Sequence, residues 1–140
     1  MIFLDTDHFC VATQRHYSNH SLLCERLRVS TDPVFLPIVT AEEQLNGWLG
    51  QIHSARGEDQ RIDGYRKLLL LLEVMPDWDL VPWDLEAAEE FDRQRTAKVR
   101  IGSQDLRIAS LAITHDALLL TRNAKDFSRV LGLRFESWID

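Results

Sequence analysis

The strongest constraint on this chain is an alternation. Short apolar runs, too brief to be helices, recur between stretches with helical spacing. The runs are Ile2-Phe3-Leu4, Val34-Phe35-Leu36-Pro37-Ile38, Leu80-Val81, Ala117 to Leu120 and Leu133 to Phe135. Ile2-Phe3-Leu4 and Ala117 to Leu120 suit buried strands, as in a parallel sheet, and Leu133 to Phe135 a last edge strand. Asp7 is placed to cap a helix through about Thr13, and Ser18 to Val29 carries Leu22, Leu23 and Leu27 on one side. Thr40 starts a helix that Gly47 or Gly50 weakens or ends. Glu58 to Val74 is the longest helical stretch, with Ile62, Tyr65, Leu69 and Leu72 along one face, and Pro76 stops it. Asp84 caps a helix from Leu85 to Thr96, Ser103 one to about His115, and Asn123 to Val130 reads as a short helix. Strands separated by helices make an α/β fold with a central, mainly parallel sheet. The 140 residues contain no repeat, low-complexity tract or linker, so one domain over residues 1–140 is expected.

Composition narrows the function classes less than it narrows the fold. The net charge of −6 gives no global attraction to nucleic acid, although a local basic strip would supply it. The first apolar run meets an acid at residue 5, which does not suit a signal peptide. The longest aliphatic run, Leu68 to Leu72, is far below a membrane span. Cys10 and Cys24 then read as buried free thiols, and the expected location is the cytoplasm.

The acids fall in a pattern. Asp5 stands where the first strand ends, and Glu43, Asp105 and Asp126 each fall in the first turn of a helix. In a parallel sheet, strand ends and the starts of the following helices share one edge, where ligands bind. Four carboxylates from distant segments are thus expected on one rim. Gathered acids repel, and some would hold their protons. A hard divalent cation relieves the repulsion, and carboxylates with water are the ligands that Mg²⁺ or Mn²⁺ prefers. Such a site can activate water and stabilise charge on a phosphodiester.

Each acid also has a local role open to it. Asp5 or Asp7 can cap the first helix. Thr40-Ala41-Glu42-Glu43 matches a capping box, which would confine Glu43 to a helix end. Asp105 and Asp126 favour helix N-termini through the dipole alone, with Asn123 as a cap. Arg93, Arg95, Lys98, Arg100 and Arg107 cluster around Asp105, either as a solvated helix end or as a strip that grips phosphates. Trp48, Trp78, Trp83 and Trp138 read as packing anchors, and His8 as packing or capping.

Together these residues resemble a known family. "FLDTDHF" at the start, "TAEEQLNG" at 40–47, "IGSQDLRIASLAI" at 101–113, "LLLTRNAKDFSRVLGL" at 118–133 and the closing "FESWID" are similar to the PIN domain, more narrowly to VapC-type toxins of bacterial type II toxin–antitoxin pairs. The resemblance covers essentially the whole chain. It implies a three-layer α/β/α fold and a Mg²⁺- or Mn²⁺-dependent endoribonuclease. It also implies a homodimer, inhibited by a small cognate antitoxin that inserts a segment into the active site. The family's first three acids fall on Asp5, Glu43 and Asp105. Where some members carry a fourth acid this chain has Asn123, with Asp126 three residues later. Thr6 and Thr121 match positions that support the acids. Arg95, Lys98, Arg100 and Arg107 would contact RNA.

Two other readings compete. Asp5-Thr6-Asp7 resembles the start of haloacid-dehalogenase-type phosphatases, with Asp5 as nucleophile, although Phe9 stands where that family has Thr or Val. The chain could also be a catalytically weak RNA- or antitoxin-binding module. Neither the target RNA nor the antitoxin is legible.

Overall fold

The computed structural model describes residues 1–140. Its elements in chain order are β1 (Ile2–Leu4), α1 (Thr6–Thr13), α2 (His20–Val29), β2 (Val34–Pro37), α3 (Ile38–Ser54), α4 (Glu58–Val74), a 3₁₀ turn (Met75–Asp77), β3 (Leu80–Val81), α5 (Leu85–Thr96), α6 (Ser103–Thr114), β4 (Leu118–Leu120), α7 (Ala124–Phe127) and β5 (Arg134–Glu136). The strands form one sheet in the order β3-β2-β1-β4-β5, and every pairing is parallel.

Alternation along the strands explains the layers. Phe3 and Leu119 face one side, where they pack with Phe91 of α5, Leu106 and Ile108 of α6, and Phe127 of α7. Ile2, Leu4, Leu36 and Leu120 face the other, against Phe9 of α1, Ala41 of α3 and Leu71 of α4. Both faces are covered by helices, which gives the expected three-layer α/β/α arrangement. A smaller cluster of Val11, Leu23 and Ile139 ties α1 and α2 to the chain end. No helix is long and apolar enough to cross a membrane.

Several local expectations are corrected. The first helix begins at Thr6, and its cap is Asp5, not Asp7: the Asp5 carboxylate accepts from Thr6 N at 2.8 Å. α3 starts at Ile38, two residues before Thr40, and runs through Gly47 and Gly50 to Ser54. Each glycine costs about 1 kcal/mol in a helix interior, which the packing of α3 on α4 offsets. The two helices approach closely at Gly64, where a Cβ would stand 2.8 Å from Ile52 Cγ1. Ser103 is the first residue of α6 and not its cap, a position held by Gly102. The apolar face of α4 looks outward: Ile62, Tyr65, Leu69 and Leu72 are all exposed, and Leu71 is the buried leucine. Cys10 and Cys24 are free thiols but only half-buried. His8 is fully buried; its Nδ1 donates to Asp7 and its Nε2 accepts from Trp138 N at 2.9 Å.

Candidate active site

The sheet order makes the site. From β1 the chain winds through β2 to β3 on one side, and from β4 to β5 on the other. The switch point lies between β1 and β4, and ligands bind beyond the carboxyl ends of the strands that flank such a point. Asp5 directly follows β1 and Thr121 directly follows β4. Their backbones are held there by ladder-like bonds, Asp5 N to Leu120 O and Thr121 N to Glu136 O.

From this point one hydrogen-bonded chain joins all the acids anticipated from sequence. Asp5 Oδ2 accepts from Thr121 Oγ1 at 2.7 Å. Thr121 Oγ1 in turn accepts from Asn123 N, and Asn123 Nδ2 donates to both Asp105 Oδ2 and Asp126 Oδ2 at 3.2 Å. On the other side, Thr6 Oγ1 donates to Glu43 Oε2 at 2.7 Å. Glu43 is therefore not the closing half of a capping box. Thr40 sits inside α3 and donates to Leu4 O, which pins α3 to the end of β1 and turns Glu43 towards the rim. Asn123 does cap α7 as anticipated, and it bridges two carboxylates as well.

The electrostatics follow from burial and crowding. Asp5 is only 6% exposed, and burial pushes its carboxyl from 3.8 to about 6, with Asp7 and Glu43 adding to the rise. Asp105 is likewise pushed up to about 6, by burial first and then by Asp5 and Asp126. Glu43 is raised by burial, with Asp105 and Glu42 contributing. Asp7 lies beside this group but is otherwise engaged, accepting from His8 N, His8 Nδ1 and Arg122 N.

The donor set fits a hydrated divalent cation. Hydrogen bonds occupy one oxygen each of Glu43, Asp105 and Asp126. No three acidic, histidine or cysteine side chains stand close enough together to hold an ion by themselves. Mg²⁺ does not need such a cage, because it keeps several waters and takes one or two carboxylates.

Beside the acids, Arg95, Arg100 and Arg107 line an open hollow that Asp126 also borders, with Phe91 in its wall. Lys98 turns away with Arg93 into a neighbouring hollow, which Arg129 shares; Arg129 donates to Arg100 O. Arg95, Lys98, Arg100 and Arg107 take part in none of the protein's ion pairs. Sequence reasoning missed Phe91, Gln104 and Arg129. Arg129 lies outside the basic cluster, and nothing in the linear pattern sets Phe91 apart from an ordinary core residue.

The PIN domain family model matches residues 2–133. The chain belongs to the PIN domain family. That membership favours the rim of acids over the phosphatase likeness of Asp5-Thr6-Asp7. Ribonuclease VapC1 of Rickettsia felis is 32% identical over 87 residues, 59% of this chain and 62% of that relative's length. The fold is similar to VapBC2 from Rickettsia felis bound to a promoter DNA fragment, at TM-score 0.74 and 24% identity over 99% of each chain. It is also similar to DNA-bound VapBC from Salmonella typhimurium, at TM-score 0.75 and 19% identity over 98% of this chain and 97% of that one.

Proposed function

We propose that this PIN domain protein is a metal-dependent endoribonuclease and the toxin of a toxin–antitoxin pair, acting in the cytoplasm. The observation that carries this reading is the hydrogen-bonded rim of Asp5, Glu43, Asp105 and Asp126 with unpaired arginines beside it. The name of the Rickettsia felis relative supports the activity.

Asp5, Glu43 and Asp105 would hold Mg²⁺ or Mn²⁺ directly or through its waters, with Asp126 in support. The chemistry such an ion supplies is neutralisation of phosphate charge and acidification of a water. The protein's own residues do the rest. Thr6, Thr121 and Asn123 fix the carboxylates by donating to them, as hydrogen-bonded partners of ligating groups do. Arg95, Arg100 and Arg107 draw the RNA backbone towards an otherwise acidic molecule. Lys98, facing the neighbouring hollow, extends that strip.

VapBC neighbours in the fold are complexes of two components. By that likeness this chain pairs with an antitoxin; the homodimer that the sequence resemblance implies belongs to the same proposal. The outward apolar face of α4, with Ile62, Tyr65, Leu69 and Leu72 exposed, suits such a partner.

The test is cleavage of total RNA by purified, antitoxin-free protein across Mg²⁺ and Mn²⁺ titrations, with Asp105→Ala prepared in parallel. Discrete fragments that require metal and vanish in the variant are expected. Cleavage that survives Asp105→Ala, or none by folded protein, overturns the reading.

A further inference from the structure

Arg107 is the most constrained of the free cations. Its Nη1 donates to Gln104 Oε1 at 2.7 Å, and its guanidinium lies 4.9 Å from the centre of the Phe91 ring. Gln104 is itself anchored: its Nε2 donates to Glu42 Oε1 at 2.5 Å, across from α6 to α3. The chemistry allows only one orientation of this amide. A carboxylate only accepts and a guanidinium only donates, so Gln104 must turn its nitrogen to Glu42 and its oxygen to Arg107. The result is a relay, Glu42 to Gln104 to Arg107, that leaves the guanidinium without a carboxylate of its own at the hollow next to Asp126. A direct Glu42–Arg107 pair would neutralise the charge; an amide between them aims it and leaves it free. A guanidinium with preset direction is suited to phosphate, which it meets with two parallel donors.

We propose that Gln104 is a positioning residue: anchored by Glu42, it holds Arg107 against Phe91 so that the guanidinium meets an RNA phosphate flanking the cut. This rests on the ribonuclease reading above. Glu42 adjoins Glu43 and Gln104 adjoins Asp105, so the relay spans the same two helices that carry two of the rim acids. It therefore fixes the distance from the phosphate grip to the carboxylates. Arg95, which also approaches Phe91, at 5.5 Å, lacks such a relay and serves as a general attraction.

The experiment measures binding of a labelled 12-nucleotide single-stranded RNA in EDTA, together with the kcat and KM of metal-dependent cleavage. Arg107→Ala should weaken binding about 10-fold or more and reduce the salt slope by about 0.7, one phosphate contact on a single strand. Gln104→Ala should weaken binding about 3- to 10-fold, raising KM with kcat nearly unchanged. In an Arg107→Ala background it should add nothing. Gln104→Glu alone should set two carboxylates against each other and weaken binding. Paired with Glu42→Gln, at unchanged net charge, it gives Arg107 a carboxylate of its own, and affinity should stay low. Wild-type binding and salt slope in Gln104→Ala, or wild-type affinity in the exchanged pair, overturns the relay while leaving the nuclease intact. Wild-type protein that neither binds nor cuts RNA overturns both.

Discussion

Where α4 meets α3, Asp63 accepts from Gln51 and Arg66 and pairs with Lys67 at 2.9 Å, and its carboxyl is held well below the ordinary range. At the sheet edge, Asp105 receives only an amide hydrogen from Asn123 and faces Asp5 and Asp126, and its carboxyl is pushed up to about 6. The protein has cations close to both places. Around Asp63 they are paired with the acid. Beside the rim, Arg95, Arg100 and Arg107 line the hollow that Asp126 borders and pair with no acid, so the rim acids remain unneutralised. An acid that serves the fold is given its counter-ion by the chain; these rim acids are given none.

The comparison can be broken most forcefully at Asp5. Asparagine caps helices as well as aspartate does, so Asp5→Asn keeps the start of α1 but removes the charge. RNA cleavage should fall by at least about 100-fold, beyond the cost of losing a supporting partner, with the circular dichroism spectrum unchanged. Retained activity would reduce Asp5 to a cap. Thr121→Val removes the donor that fixes Asp5 and preserves its volume; metal affinity, read from the Mn²⁺ dependence of cleavage, should drop about 10-fold.

A stability series sharpens the contrast further. In metal-free folded protein, Asp5 and Asp105 keep their protons to about pH 6, whereas ordinary aspartates release them near 3.8. Between those values the folded state binds more protons than the unfolded chain. Stability therefore falls as pH rises from about 4 to about 6, then levels off. Asp105→Asn should flatten part of that fall and raise stability at pH 7 by about 1 kcal/mol, given solvent screening at a half-buried position. Urea denaturation at pH 4, 5, 6 and 7 checks it. Asp63→Asn should act in the opposite sense. Its lowered carboxyl contributes stability that is present above the ordinary aspartate range and lost as acid protonates it. The expected change in Tm is the smallest of the series, because surface pairs contribute little, and cleavage should not change.

Much of this arrangement was legible before any coordinates. The alternation of short apolar runs with helical stretches specified a parallel sheet, whose central strands β1 and β4 are largely buried. α4 runs over Glu58–Val74, as its helical spacing and Pro76 implied, and α5 over Leu85–Thr96, as the Asp84 cap implied. Asp5, Glu43, Asp105 and Asp126 emerged from one rule about strand ends, and a single network through the side chains and backbone N–H groups of Thr6, Thr121 and Asn123 joins them. What failed was choice among adjacent polar residues. Asp5 and Asp7 are equally good caps in sequence, and only the extended backbone at residue 5 decides between them. The capping-box pattern at Thr40 was overridden because Thr40 bonds to Leu4 O, a tertiary contact. The exposed face of α4 was illegible for a related reason: helical spacing of apolar residues shows that a helix has a face, not what covers it. The Glu42–Gln104–Arg107 relay joins residues 62 apart and leaves no periodic trace.

The most direct test of the central claim, that the rim acids await an external cation, is calorimetric titration of Mn²⁺ into metal-free protein. It should be run at pH 6 and pH 8 in buffers of differing ionisation enthalpy. The account predicts saturable binding that releases protons at pH 6 and almost none at pH 8, because Asp5 and Asp105 must ionise to bind, and loss of that release in Asp105→Asn. Absence of binding, or binding unchanged by Asp105→Asn, would contradict it.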